Sequence, residues 1–166
     1  MPLNKRMRIF LFLSILFVCI GCDQGTKSMA IDQLAYEAPI RYFDGFFTLM
    51  YAENSGAFLG LGDSLSPGFK YLLLIFLPTL VLFVFAATYF KQSANWFQFT
   101  GMSLIVAGGT GNLMDRIAHG SVVDFMNISI GGLRTGIFNF ADVAVTVGLV
   151  ALLVGVYWTK PAQKTV

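Results

Sequence analysis

Four long apolar stretches, set apart by polar segments, lay out this 166-residue chain. Residues 9–22 are apolar except for Ser14, and the apolar face continues through Asp23, Lys27 and Met29. About 20 helical residues are needed to cross a bilayer, so the first predicted span covers about residues 8–30. Residues 71–90 form the second, with Pro78 as an expected kink of the kind membrane helices tolerate. Residues 91–95 read as a tight polar turn. The third span covers residues 96–114 and starts at Trp96, an interfacial anchor. Gly101, Gly108, Gly109 and Gly111 give it a thin face where a helix or a substrate could approach closely. The fourth covers residues 137–158 and carries Asn139 and Asp142 in its first turns.

The connecting segments have a different texture. Residues 31–68 are punctuated by Ala38-Pro39, Asp44-Gly45, Asn54-Ser55-Gly56 and Ser66-Pro67-Gly68, all turn formers. Between them, residues 40–43 and 46–51 have the aromatic and β-branched content of short strands. In the second segment, residues 115–136, Val122–Ile130 is a further predicted strand and Gly131-Gly132 a turn. The expected fold is an α-helical integral membrane protein. Four transmembrane helices and a small extramembrane β-sheet cradle make one domain over residues 1–166.

Composition narrows the class. The chain is 56% hydrophobic and only 12% charged, with a mean hydropathy of +0.71, against about 25% charged in an average soluble domain. A net charge of +2 without a basic block excludes nucleic acid as a partner. The basic start and short apolar core resemble a cleavable signal peptide. Three further spans and a continuing apolar face argue instead for a retained first helix. Four crossings put both termini on one side, with Lys5, Arg6, Arg8, Lys91, Lys160 and Lys164. Lys27, Arg41, Lys70, Arg116 and Arg134 fall on the other side. The basic residues that abut the first span dominate orientation. Both termini are therefore expected in the cytoplasm, and residues 31–68 and 115–136 outside it.

Polar chemistry is concentrated between Gly108 and Asp142, which hold Asp115, Asp124, Asp142, three asparagines, two arginines and the only histidine. Asp142 lies about 6–8 Å along its apolar run. A lone ionised carboxylate there would cost several kcal/mol, so it must be neutral, paired or beside water. Two carboxylates sharing one proton meet that requirement, because close like charges cannot both ionise. Asp124 and Asp142 are the candidate pair, one as base toward a water and one as acid. The alternative is a structural Asp142 that caps its helix or pairs with Arg116. Asn112, Asp115 and Arg116 share a helix face at i, i+3, i+4, suited to holding a substrate backbone or to a helix-end network. Asp23 and Lys27, at i, i+4, form a candidate ion pair. His119 with Ser121 lacks a nucleophile elbow, and metal-ligand spacing is absent. Cys19 and Cys22 form a C-x-x-C whose thiols could make the protein a membrane thiol oxidoreductase. Both lie inside the apolar run, and a second pair is missing.

Five motifs occur in order: Asp23-Gln24-Gly25-Thr26-Lys27, Asn54-Ser55-Gly56-Ala57, Gly108 through Arg116, Gly120 through Phe125, and Phe138-Asn139-Phe140-Ala141-Asp142. With them the chain resembles lipoprotein signal peptidase, or signal peptidase II, the bacterial aspartic peptidase of the inner membrane. The resemblance runs from the first span to the fourth. It implies cleavage of prolipoproteins just before a cysteine that already carries diacylglycerol. It implies Asp124 and Asp142 as the catalytic pair. It also implies that Asn54, Gly56, Gly108, Asn112, Arg116, Asn139 and Ala141 line the substrate and inhibitor pocket, with Asp23, Lys27 and Asp115 supporting them. No cofactor or metal is implied. The implied partners are lipid-modified prolipoproteins, membrane lipids and inhibitors of the globomycin type, which place a hydroxyl between the aspartates. A monomer suffices for such a site, near the periplasmic face. One departure stands out. The family's Asn-x-Gly-Ala-Ala-Phe is shortened here, with Phe58 directly after Ala57. The correspondence therefore stops at Ala57 and assigns no role to Phe58 or to residues 59–68.

Overall fold

A computed structural model describes residues 4–57, 61–62, 64–89 and 95–158. Helix α1 spans Lys5–Leu34, and the Asn4 side chain caps it by accepting from the Met7 N–H at 2.8 Å. At 1.5 Å per residue it is about 45 Å long, so it continues past the expected end at residue 30. No breaker intervenes before Ala38-Pro39. Strands β1 (Ile40–Tyr42) and β2 (Phe47–Asn54) follow. Next come α2 (Pro67–Tyr71), a π turn (Leu72–Phe76) and α3 (Leu77–Tyr89), continuous in sequence. The irregularity expected at Pro78 thus sits one turn upstream. Pro78 has no N–H, and its ring crowds the carbonyl four residues back. The preceding turn widens, and the Leu77 N–H reaches the Leu72 carbonyl instead.

Helix α4 spans Trp96–His119. It opens with a reciprocal cap: Gln98 N–H donates to Asn95 Oδ1 at 2.9 Å and Asn95 N–H to Gln98 Oε1 at 3.1 Å. It closes at Gly120, whose φ of 76° lets its N–H turn back to the Arg116 carbonyl. α4 therefore carries Asp115 and Arg116 inside the helix, past the expected end at residue 114. Of the expected turn before it, residues 91–94 lie outside the described residues.

Strands β3 (Val122–Ile130) and β4 (Leu133–Phe138) complete an antiparallel sheet in the order β1-β2-β3-β4. β4 corrects the sequence reading, which placed the fourth span at residues 137–158. Ile137 and Phe138 are apolar, but they pair with Asn127 and Met126 of β3 across the Gly131-Gly132 turn. Helix α5 then begins only at Phe140 and runs to Trp158.

Three of these helices are long and apolar enough to cross a membrane: Lys5–Leu34, Pro67–Ala87 and Phe140–Trp158. α4, with 24 residues, is long enough but more polar. It is the interior helix, with Phe99, Gly101, Ser103, Val106, Ala107, Gly108, Gly111, Leu113 and Asp115 all buried. One core packs Phe12 of α1 against Phe99 and Val106 of α4, with Leu82 and Ala86 of α3. A second seats Val123, Phe125 and Met126 of β3 on Ala30 and Leu34 at the end of α1. This second core fixes the sheet over the bundle end where the polar residues gather.

The contact between α4 and α5 is unusually close. A Cβ on Gly101 would stand 2.6 Å from the Gly148 carbonyl oxygen, and one on Gly148 would stand 2.7 Å from the Gly101 carbonyl oxygen. On Gly108 it would run into the carbonyl oxygen of Ala141. The glycine face expected to admit a helix or a substrate is approached by a helix, α5, at Gly101 and Gly108. Gly109 points elsewhere, toward the side chain of Leu82. Backbone cannot retreat as a leucine tip can. Gly108→Ala should destabilise the protein by about 1–3 kcal/mol, while Gly109→Ala should be near neutral. Unfolding midpoints of the two variants in detergent check this; equal losses would contradict the packing described.

Candidate active site

Asp142 is placed by the first turn of α5. Its N–H donates to Asn139 Oδ1 at 3.0 Å, and its Oδ2 accepts from the Asn139 N–H at 3.2 Å. This is a reciprocal cap with Asn139 at the N-cap and Asp142 three residues on. A third donor of the same turn, the Ala141 N–H, goes to Asp23 Oδ1 of α1 at 2.9 Å. A helix N-terminus favours negative charge, so both carboxylates sit where α5 stabilises them.

Asp124 comes from β3, opposite Ala52 of β2. Its Oδ1 accepts from Asn139 Nδ2 at 2.7 Å and its Oδ2 from Asn54 Nδ2 at 3.2 Å. Asn139 is fully buried and touches both carboxylates: its amide donates to Asp124 and its backbone N–H to Asp142. Burial pushes the Asp124 carboxyl up to about 6. The charge of Asp142 adds to that push, while the Asn54 and Asn139 amides and Lys27 oppose it.

Below the pair lies a buried ion cluster. The Lys27 ammonium, 3% exposed, is 2.8 Å from Asp23 Oδ2 and 2.8 Å from Asp115 Oδ2. It also donates to Asn112 Oδ1 at 3.0 Å. That oxygen accepts from Asn139 Nδ2 as well, at 3.0 Å, while Asn112 Nδ2 donates to Asp142 Oδ1 at 2.8 Å. The expected Asp23–Lys27 pair is thus present, enlarged to a triad by Asp115. Gly111 makes room for it, since a Cβ there would stand 2.6 Å from Asp23 Oδ2.

Above the pair, Gly56 N–H donates to Asn54 Oδ1 at 3.0 Å, and Arg116 Nη2 donates to the Gly56 carbonyl at 2.8 Å. Arg116 Nη1 makes a long contact of 3.4 Å to the Asn112 carbonyl. Its Nε is buried without a partner among the described residues. Arg116 thus donates to backbone carbonyls. Of the structural alternative for Asp142, the cap is present, and the contacts described for Arg116 do not include an Asp142 pair. Phe58 lies outside the described residues, as do residues 59, 60 and 63 of the stretch 59–68.

Two expected pocket residues meet in the α4–α5 contact. Gly108 lies against the Ala141 backbone, and Ala141 is 1% exposed. Their smallness serves helix approach. Gln24 was not anticipated: its Nε2 donates to Asp115 Oδ1 at 2.8 Å and lies 3.4 Å from the Gly111 carbonyl. Its place beside Asp23 in the first motif was the available signal, but adjacent helix positions do not share a face. Lys70 was also missed; it donates to Ser55 Oγ at 3.0 Å and ties α2 to the loop after β2. Cys19 and Cys22 are free thiols, and Cys22 is exposed while its neighbour Asp23 is 1% exposed. Among the described residues no group of His, Cys, Asp and Glu could hold a metal ion.

The profile of the family described as signal peptidase (SPase) II matches residues 15–158. The chain belongs to the signal peptidase II family. Family membership makes it a peptidase. It is 33% identical over 135 residues to the lipoprotein signal peptidase of Thermodesulfovibrio yellowstonii, covering 81% of this chain and 86% of that protein. It is 32% identical over 160 residues to that of Desulforapulum autotrophicum, covering 95% and 98%. A solved structure described as a bacterial membrane enzyme superposes with a TM-score of 0.80 at 26% identity, covering 95% of this chain and 94% of that one.

The ion cluster carries a stability prediction for this family member. Lys27→Met leaves two buried carboxylates facing each other and should cost about 3–5 kcal/mol. Adding Asp115→Asn should recover part of that loss. Unfolding midpoints of the single and double variants measure both; an unshifted Lys27→Met would show that the ammonium is not holding the cluster.

Proposed function

We propose that the protein is an aspartic endopeptidase that removes signal peptides from diacylglyceryl-modified prolipoproteins, cutting just before the lipidated cysteine. The observation that carries this reading is the shared Asn139, which donates to Asp124 Oδ1 at 2.7 Å and to Asp142 Oδ2 at 3.2 Å. One residue thereby holds two carboxylates in a single polar centre at the outer ends of α1, α4 and α5.

The chemistry follows from the difference between the two. Asp124, pushed up to about 6, is the member disposed to hold the shared proton. Asp142 sits in the first turn of α5, where the Asn139 backbone N–H points toward it. Asp142 takes a proton from a water, whose oxygen forms a bond to the scissile carbonyl carbon. Asp124 donates a hydrogen bond to the carbonyl oxygen. The tetrahedral intermediate then collapses, the C–N bond breaks, and the leaving nitrogen takes a proton from the pair. Arg116 Nε has a donor to offer a substrate carbonyl, and Asn54 and Asn112 keep the carboxylates aimed. Asp23, Lys27 and Asp115 support Asn112 from below.

Asp124→Asn and Asp142→Asn are nearly isosteric and should each reduce cleavage of a lipid-modified precursor to near background. The double variant should be scarcely worse, because residues acting as a unit are non-additive. In the wild type, raising the pH through about 6 ionises Asp124, and kcat/KM should fall on that limb. Substantial turnover by either folded single variant would overturn the dyad.

We further propose a single membrane domain with four crossings, α4 included, in the bacterial inner membrane. α4 is long enough, and its polar residues face neighbouring helices. In this arrangement both termini are cytoplasmic, the dyad lies near the periplasmic face, a monomer suffices, and globomycin-type inhibitors occupy the site. A reporter fused after Val166 should read cytoplasmic and one placed after Leu61 periplasmic. A periplasmic C-terminus would break the four-crossing arrangement.

A further inference from the structure

A groove of about 680 Å³ runs between the sheet and α5. Ile128, Thr135 and Phe138 of β3 and β4 form its roof, and Val143, Thr146 and Val147 of α5 form its side. Asp142 is one of its lining residues. Thr146 follows Asp142 at i+4, so it lies one turn farther along the same face. Val143, Val147 and Val150 are 37%, 51% and 56% exposed, so the side of α5 away from α4 is open along its length.

We propose that this groove seats the acyl chains of the substrate's diacylglyceryl group. The inference rests on the peptidase reading and deepens it. Three features select this occupant. First, the groove shares a residue with the dyad, so what fills it must be attached close to the scissile bond. The acyl chains hang from the first residue after that bond, whereas the apolar helix of a signal peptide belongs to residues before it. Second, the α5 residues Val143, Thr146 and Val147 continue the groove along the helix from Asp142. An occupant that starts at the dyad can extend along α5, in the direction a lipid tail takes from a polar head. Third, apart from Asp142 and the two threonines, the lining is aliphatic or aromatic, as an acyl chain requires.

The groove would make chain length a determinant of recognition. A seated methylene is worth roughly fourfold in KM. Thr146→Trp fills the channel from the α5 side. Val156→Trp, 55% exposed farther along α5 and outside the groove, is the control. Two synthetic precursors are compared, carrying long-chain or short-chain diacylglyceryl on the cysteine. Wild type and Val156→Trp should prefer the long-chain precursor through KM. Thr146→Trp should lower that preference at least tenfold. An unchanged preference would overturn the inference, as would equal losses on both precursors, which would indicate a peptide in the groove. Failure of the wild type to cut either precursor would instead overturn the peptidase reading, and this inference with it. Photolabelling does not depend on the tryptophan variants folding. Asp124→Asn enzyme is mixed with a precursor bearing a diazirine on one acyl chain. Label on Phe138 or on residues 143–147 is the expected result; label confined to α1 or α3 overturns the assignment.

Discussion

The buried ammonium of Lys27 is the contact on which the site's geometry depends. A primary amide has one end that accepts and one that donates. Lys27 Nζ, 3.0 Å from Asn112 Oδ1, decides which end of Asn112 points where. With its oxygen held by the ammonium and by Asn139, the Asn112 NH₂ must face Asp142, which it reaches at 2.8 Å. The ammonium itself needs Asp23 and Asp115 to be stable at 3% exposure. Asp23 in turn spends its other oxygen on the Ala141 N–H of α5. An orienting chain therefore leads from α1 through α4 to the carboxylate on α5, each link fixed by the donor or acceptor character of the one before.

That chain closes only because the helices come unusually near one another. Glycines at 101, 108 and 148 let the α4 and α5 backbones touch, and Gly111 leaves space for the Asp23 carboxylate. With a side chain at 108, the carbonyl of Ala141 would have to move, and the N-terminus of α5 would shift away from Asp23. Asn139 caps that same terminus and also donates to Asp124, so the displacement would pass directly to the strand side of the site. Packing and polar geometry are here one constraint.

Much of this was legible in the chain. A carboxylate inside an apolar run has few stable states, so Asp142 stood out, and Asp124 was the carboxylate available to share its burden. The i, i+4 spacing of Asp23 and Lys27 announced their pair. The strand Val122–Ile130 was visible from its β-branched and aromatic content. β4 was hidden because Ile137 and Phe138 read as the start of an apolar helix. What separates strand from helix there is Asn139, a cap whose role depends on Asp142 reaching back to it. The glycine stripe of α4 was recognised, but a stripe does not say what fills it; Gly108 meets the Ala141 backbone. Gln24 escaped because two of its three partners, Asp115 and the Gly111 carbonyl, lie on another helix, the third being Asp23 beside it. Sequence spacing reports neighbours along one helix, and the site is built mostly from neighbours across three.

The two carboxylates differ because different elements carry them. Asp142 rides on the first turn of a helix, where backbone N–H groups and the helix dipole favour negative charge. Asp124 rides on a strand, which has almost no net dipole, and is 4% exposed beneath the loop that follows β2. Among the described residues its direct donors are two neutral amides, Asn54 and Asn139. Burial then outweighs those donors and raises its affinity for a proton. A symmetric pair would have no reason to place the proton on one member. Here secondary structure supplies the asymmetry before any substrate arrives, and the helix side is also where the apolar groove opens. The member on the helix is therefore the one beside the apolar groove, and the member disposed to hold the proton is the one buried in the sheet.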